Sequence, residues 1–228
     1  MYMNFISKNL LKFKEVLKPF SSELIAVSKT YPSEILKEAY DAGQILFGEN
    51  KVQEMVQKYE DLPKDIKWHL IGHLQTNKVK YIAPFVHLIH AVDSMKLLQE
   101  INKEALKNNR VISCLLQIYI ANEDTKFGMS FSEAKELFQN DNFKMLNNIK
   151  IEGLMGMATN TNNQDQIRSE FKSLKKFSEE MKAQIHLSNV ELVHVSMGMS
   201  GDYQIALEEG STMIRVGSAI FGNRNYEQ

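Results

Sequence analysis

A lysine closes the first apolar run of the chain, Leu24-Ile25-Ala26-Val27-Ser28-Lys29. An ammonium at the end of a buried segment is partly desolvated, which favours the neutral amine. A neutral, positioned amine attacks aldehydes and forms a Schiff base. Taken alone, Lys29 reads more readily as a lysine that lays its stem on apolar surface and keeps its charge in water. The far end of the sequence changes that balance. Ser196-Met197-Gly198-Met199-Ser200-Gly201-Asp202 joins an apolar run to a helical segment, and Arg215-Val216-Gly217-Ser218 lies in the last apolar run. Glycines let backbone approach a ligand closely. Free N–H groups at a helix start, with serine hydroxyls beside them, attract anions.

These residues need a frame that brings them together. Eight apolar, β-prone runs follow residue 22: Leu24–Ser28, Ile45–Gly48, Trp68–Gly72, Leu88–Val92, Val111–Ile120, Ile151–Ala158, Leu192–Ser196 and Met213–Phe221. Most are apolar on both faces, as parallel strands covered on both sides must be. Helical stretches separate them at Ser33–Ala42, Ser94–Asn108, Ala134–Phe138, Gln164–Gln184 and Gly201–Glu209, and Ser130 with Glu133 forms a candidate capping box. Eight strand–helix units predict an α/β fold, a closed (β/α)8 barrel. The rival is an open doubly wound sheet, whose dinucleotide-binding form carries G-x-G-x-x-G after the first strand. That position here reads Ser28-Lys29-Thr30-Tyr31-Pro32, without glycine. In a barrel, chemistry sits at the C-terminal strand ends, and the loops after strands seven and eight commonly hold phosphate. An amine on strand one and an anion cradle on strands seven and eight suit a small phosphorylated aldehyde, and pyridoxal phosphate (PLP) is such a molecule.

Length and composition bound the reading. The 228 residues suit one barrel domain, with an N-terminal helix over residues 1–20 and the barrel over 23–224. Lys plus Arg is 27 against 28 Asp plus Glu, which argues against a nucleic-acid-gripping surface. The single cysteine, Cys114, excludes an intramolecular disulfide and sits in an apolar run, as a buried thiol would. Ile6, Leu10, Phe13 and Leu17 recur at helical spacing, while Lys8, Lys12 and Lys14 interrupt any signal-peptide core. A helix packed on the barrel is expected, with a membrane-surface helix as the other reading. No run approaches the ~20 apolar residues that span a bilayer. A cytoplasmic protein with no membrane partner is the expectation.

The lysine and phosphate segments resemble the pyridoxal phosphate homeostasis proteins, relatives of the alanine racemase N-terminal domain. So do Phe47-Gly48-Glu49-Asn50, the stretch Trp68-His69-Leu70-Ile71-Gly72-His73-Leu74-Gln75-Thr76-Asn77-Lys78 and Phe221-Gly222. The resemblance runs from about Leu24 to Arg224. It implies that PLP is the cofactor and Lys29 its Schiff-base lysine. Ser200, Gly217 and Ser218 would hold the phosphate, serine standing where the family has threonine at 218. Arg215 would face the pyridine nitrogen, and Asn50, His73 and Met155 would line the pocket. Met155-Gly156-Met157-Ala158 departs from the commoner M-C-M-A form, which puts the sixth-strand wall in question.

A guanidinium only donates hydrogen bonds. Arg215 would therefore favour an unprotonated, weakly electron-withdrawing ring, and carriage or simple proton exchange over transamination. The family's implied role is PLP and amino-acid homeostasis without established turnover, with PLP-dependent apoenzymes as possible recipients. The alternative is a small racemase-like enzyme using Lys29 as acid and base. Racemase-type enzymes add a β-rich second domain; the sequence ends at Gln228, just after the eighth run, so a monomer is expected. Other features read as structural. His69 and His73 have metal-ligand spacing but lack an H-E-x-x-H glutamate, so no metal is expected. His87 and His90 read as barrel-end residues, His194 as a satisfied core residue, and Glu49 as a plain strand exit.

Overall fold

The computed structural model describes residues 4–121 and 128–222. Eight strands pair in parallel and in chain order. They are β1 (Glu23–Val27), β2 (Leu46–Glu49), β3 (Lys67–Leu70), β4 (Leu88–Val92), β5 (Ile112–Gln117), β6 (Ile149–Met155), β7 (Val190–Ser196) and β8 (Met213–Val216). The last strand returns to the first, with Leu24 opposite Ile214 and Ala26 opposite Val216, and closes the barrel. This is the (β/α)8 architecture expected from strand–helix alternation, and the open sheet is excluded.

The helices are α1 (Phe5–Leu17), α2 (Ser33–Asp41), α3 (Val52–Asp61), α4 (Val79–Ile82), α5 (Met95–Lys107), α6 (Phe131–Gln139), α7 (Asp141–Lys144), α8 (Gln164–Gln184), α9 (Tyr203–Glu208) and α10 (Ser218–Phe221). Their apolar stripes and the outer faces of the strands form the main core. In α8, Ile167, Phe171, Leu174 and Met181 are all buried, at the expected spacing. The capping box at Ser130 and Glu133 is formed. In α1, Ile6, Leu10 and Phe13 are buried. Phe13 meets Tyr203 edge-on at 5.3 Å between ring centroids, and Asn9 Nδ2 donates to Ile220 O at 2.9 Å. The stripe on α1 is therefore used against α9 and α10, which corrects the membrane-surface reading. Among the described residues, no helix is long and apolar enough to cross a membrane.

Several boundaries move. The apolar run Met213–Phe221 is a strand only to Val216. Gly217 then packs against the end of β1, where an added Cβ would lie 3.0 Å from Val27 O. The remaining apolar residues bury Ile220 and Phe221 as α10. Hydrophobicity alone does not separate a buried strand from a buried helical turn. Helices α3, α4 and α7 lie outside the stretches read from periodicity. In α3 the buried residues are Val52, Met55 and the charged Lys58, a weak apolar signal.

Inside the barrel, Ile25, Leu88, Ala91, Leu115, Met155 and Met213 make a small apolar cluster. The barrel also depends on a close approach of β6 to β7. The pairing register shifts between Ile151 and Gly153, and a Cβ on Gly153 would overlap the His194 carbonyl. Backbone cannot yield as a side-chain tip can. Gly153→Ala should lower stability by about 3 kcal/mol, read as a fall in the urea midpoint; an unchanged midpoint would mean that the two strands separate freely.

Candidate cofactor site

The C-terminal ends of the strands surround a cavity of about 310 Å³, at the small end of the ~300–1,000 Å³ range of ligand pockets. Val27 and Lys29 reach it from β1, Asn50 and Ile71 from the turns after β2 and β3, and Met157 from beyond β6. Met199, Ser200 and Gly201 follow β7, while Arg215, Gly217 and Ser218 come from β8 and its exit. The structure thus brings Lys29, Asn50, Ser200, Arg215, Gly217 and Ser218 to one cavity. No carboxylate lines it among the described residues.

The turn carrying Lys29 is pinned on both sides. Ser28 Oγ donates to Glu49 Oε1 at 2.7 Å, and Lys58 Nζ donates to Ser28 O at 2.8 Å. Lys58 also pairs with Glu49 Oε1 at 2.6 Å, with both side chains almost fully buried. On the other side, Thr30 N donates to Glu54 Oε2 at 2.9 Å. Thr30 has φ 70°, a left-handed conformation disfavoured for a β-branched residue at about 1–3 kcal/mol. Burial pushes the Glu49 carboxyl up, while Lys58 and Ser28 pull it back down. Glu49 is therefore no plain strand exit: it anchors the lysine turn through contacts made across 21 residues of sequence.

The ends of β7 and β8, next to β1 in the closed barrel, carry the hydroxyls. Ser218 Oγ and Ser200 Oγ lie 3.5 Å apart. An added Cβ on Gly201 would meet nothing within 4 Å, so the backbone there is open to a ligand. The first N–H groups of a helical turn such as α10 have no intrahelical acceptor. Asp202 Oδ1 accepts from Met199 N at 2.5 Å and fixes the loop; burial pushes its carboxyl up.

Arg215 is 4% exposed. Its Nη1 donates to Ser196 Oγ at 2.6 Å and its Nη2 to Gly156 O at 3.2 Å. Burial lowers it to about 10, against the pull of Asp202, so it remains a cation at neutral pH. The site therefore presents an amine, a donor-only guanidinium and paired hydroxyls. That set suits an anionic ligand with an aldehyde and an aromatic acceptor.

Two expected residues lie elsewhere. Met155 is 1% exposed within the inner barrel cluster and is absent from the cavity lining, where Met157 appears instead. His73 sits outside the lining with its side chain 58% exposed, its Nδ1 3.5 Å from Asp93 Oδ2. His69 is buried, 2.8 Å from His90, so His69 and His73 point to different surroundings and share no metal site. His90 is no barrel-end residue but fully buried in the interior. His194 is half-buried, and its Nδ1 is buried without a hydrogen-bond partner, so it is not satisfied. At Gly156, where the related motif has cysteine, a Cβ would press on Ile120 Cδ1 and Leu174 Cδ2, each 2.8 Å away. Those side chains take up the space behind the sixth-strand wall. Cys114 is buried, and burial pushes its thiol up.

The sequence matches the family model for the alanine racemase N-terminal domain over residues 3–225. It is 42% identical over 206 residues to a pyridoxal phosphate homeostasis protein of Aquifex aeolicus, covering 90% of this chain and 88% of that one. The human protein of the same name is 35% identical over 222 residues, covering 93% and 80%. The structure of PipY from Synechococcus elongatus with PLP bound superposes with a TM-score of 0.85 at 34% identity, over 95% of this chain and all of PipY. Alanine racemase from Clostridium difficile, at 15% identity, shares the fold over 57% of its length with a TM-score of 0.74. With the domain model matched over residues 3–225 and these two relatives 42% and 35% identical over most of both chains, this chain belongs to the pyridoxal phosphate homeostasis protein family, built on the alanine racemase N-terminal domain.

Proposed function

We propose that the protein binds PLP in this cavity, covalently through Lys29, and serves intracellular PLP and amino-acid homeostasis by holding the cofactor rather than turning over a substrate. One observation carries the reading: the amine that follows β1 shares a cavity with a cation and two hydroxyls from the neighbouring ends of β7 and β8, with no carboxylate among the described lining residues. When bound, PLP supplies an aldehyde carbon that an amine captures and a ring nitrogen that accepts a hydrogen bond. Lys29 captures, Arg215 donates towards the ring nitrogen, and Ser200, Gly217 and Ser218 hold the phosphate. Asn50 closes one side of the ring. The PLP seen in PipY and the name shared by the curated relatives support this assignment. It extends to a monomer in the cytoplasm that passes PLP to apoenzymes. No nucleic-acid surface is part of it.

The racemase-like alternative needs a proton carrier on each face of the ring. Lys29 and Arg215 are the ionisable groups of the described lining, and a buried guanidinium is a poor proton donor to carbon. The experiment is an absorption spectrum and intact mass of the protein with added PLP, before and after borohydride. A new long-wavelength band and one fixed cofactor mass are expected. Alanine Cα exchange in heavy water far above that of free PLP, lost in Lys29→Ala, would decide for the enzyme. Ser200→Ala and Ser218→Ala should each weaken PLP retention about tenfold, as expected for one hydrogen bond to a charged group; equilibrium dialysis checks this, and unchanged retention would place the phosphate elsewhere.

A further inference from the structure

Among the described residues no carboxylate hydrogen-bonds to the guanidinium of Arg215, and Asp202 acts on it only through its field. The guanidinium is backed by a buried chain of neutral groups. Ser196 Oγ, which accepts from Arg215 Nη1 at 2.6 Å, lies 3.0 Å from His90 Nδ1. His90 Nε2 in turn lies 2.8 Å from His69 Nδ1. Ser196 and His90 are 0% exposed and His69 is 1% exposed. The chain leads from the cavity wall into the barrel interior and ends at His69 Nε2, which is buried without a partner.

The direction of these bonds follows from the donors available. Arginine has no acceptor, so Ser196 Oγ accepts from it. The serine proton then needs an acceptor, and His90 Nδ1 is the remaining group in reach. An unprotonated Nδ1 makes His90 the Nε2–H tautomer. That proton can only go to His69 Nδ1, which makes His69 the Nε2–H tautomer as well. This direction leaves one buried group unmatched, the His69 Nε2–H, whereas the opposite direction would leave two, the serine hydrogen and the His69 Nε2 lone pair, and is the less favourable arrangement.

We propose that Ser196, His90 and His69 are positioning residues for Arg215, forming a one-way hydrogen-bond chain that aims the guanidinium at the cavity and is itself polarised by it. Each bond in such a chain strengthens the next. Ser196 orients the guanidinium fork, so that its remaining N–H groups face the ring-nitrogen side of the cavity. The histidines keep Ser196 oriented, and they do so without supplying a negative charge that would draw Arg215 away from a ligand. This role rests on the PLP reading above, but the direction of the chain does not.

The test therefore has two parts. In the protein without PLP, long-range proton–nitrogen NMR of labelled histidine should give unprotonated Nδ1 and protonated Nε2 for both His69 and His90 at neutral pH. A protonated Nδ1 on either histidine overturns the proposal. In PLP-loaded protein, Ser196→Ala should shift the long-wavelength band and weaken PLP retention about tenfold, with the borohydride label still on Lys29. His90→Asn, whose Oδ1 can take the place of Nδ1, should keep the wild-type band. An unmoved band in Ser196→Ala sinks the positioning role. Absence of label on Lys29 in the wild type would instead refute the PLP reading, and the NMR result would still judge the chain. If Ser196→Ala does not fold, the wild-type NMR decides alone.

Discussion

Lys29→Ala should leave the barrel standing and abolish covalent capture of PLP. The expected loss is complete because the bond itself is removed. Among the described residues no hydrogen bond or ion pair holds Lys29 Nζ, so truncation orphans no buried partner and stability should change by less than about 1 kcal/mol. The turn stays in place because Glu49, Lys58 and Glu54 hold the neighbouring residues Ser28 and Thr30. Lys58 on α3 also reaches that turn, but it is 6% exposed and paired with Glu49 at 2.6 Å, which prevents it from substituting. The variant should lose the long-wavelength band and, after borohydride, show no added mass. Peptide mapping that finds the label on another lysine of the wild-type protein would refute the assignment.

The features legible in the sequence were those carried by residue type at a strand end. Lys29 after four apolar residues and a serine, and Gly and Ser packed around 198–201 and 217–218, announce chemistry without any knowledge of contacts. The strands are equally legible as apolar runs, but that same quality hides which side of each strand faces inward. In a barrel strand covered on both sides, inner and outer residues are both apolar. His90 illustrates the difficulty: only its place in the register reveals it as interior. Met155 and Met157 show it again. Two positions apart, they share the parity that alternation reads, and only the end of β6 at Met155 separates the methionine inside the barrel from Met157, which reaches the cavity from beyond the strand. Glu49 and Lys58 meet across a turn and a helix, with no periodic signal linking them. The space left by Gly156 became interpretable only once Ile120 and Leu174 were seen to fill it.

The buried histidines should also set the acid limit of the fold. Burial holds His69 and His90 well below the usual imidazole value. The groups around them make protonation harder still. His87, His194 and Lys67 face His69, and Arg215 joins His69, His194 and His87 around His90. In the unfolded chain each imidazole titrates near 6.5. Below that pH the unfolded state binds two protons that the folded state excludes, so stability falls as the pH falls. The slope is about 1.4 kcal/mol per pH unit for each histidine, or about 2.7 for the pair. Two pH units below 6.5 would remove about 5 kcal/mol, comparable with the whole stability of many domains. Glu49 and Asp202 act oppositely: burial raises both, so as the pH falls the folded state takes up their protons first, in a window that opens above the ordinary carboxylate values and closes near them, and there they offset part of the loss. Urea unfolding from pH 7 to pH 5 should therefore show a steep loss of stability, already under way at pH 6. His87, lowered by burial as well, adds to the slope in the same direction; His90→Asn should remove its own share, about 1.4 kcal/mol per pH unit, while the exposed His186→Gln serves as the control. A slope identical in wild type and His90→Asn would mean that the interior takes up protons freely, and that the barrel's acid sensitivity arises at its surface.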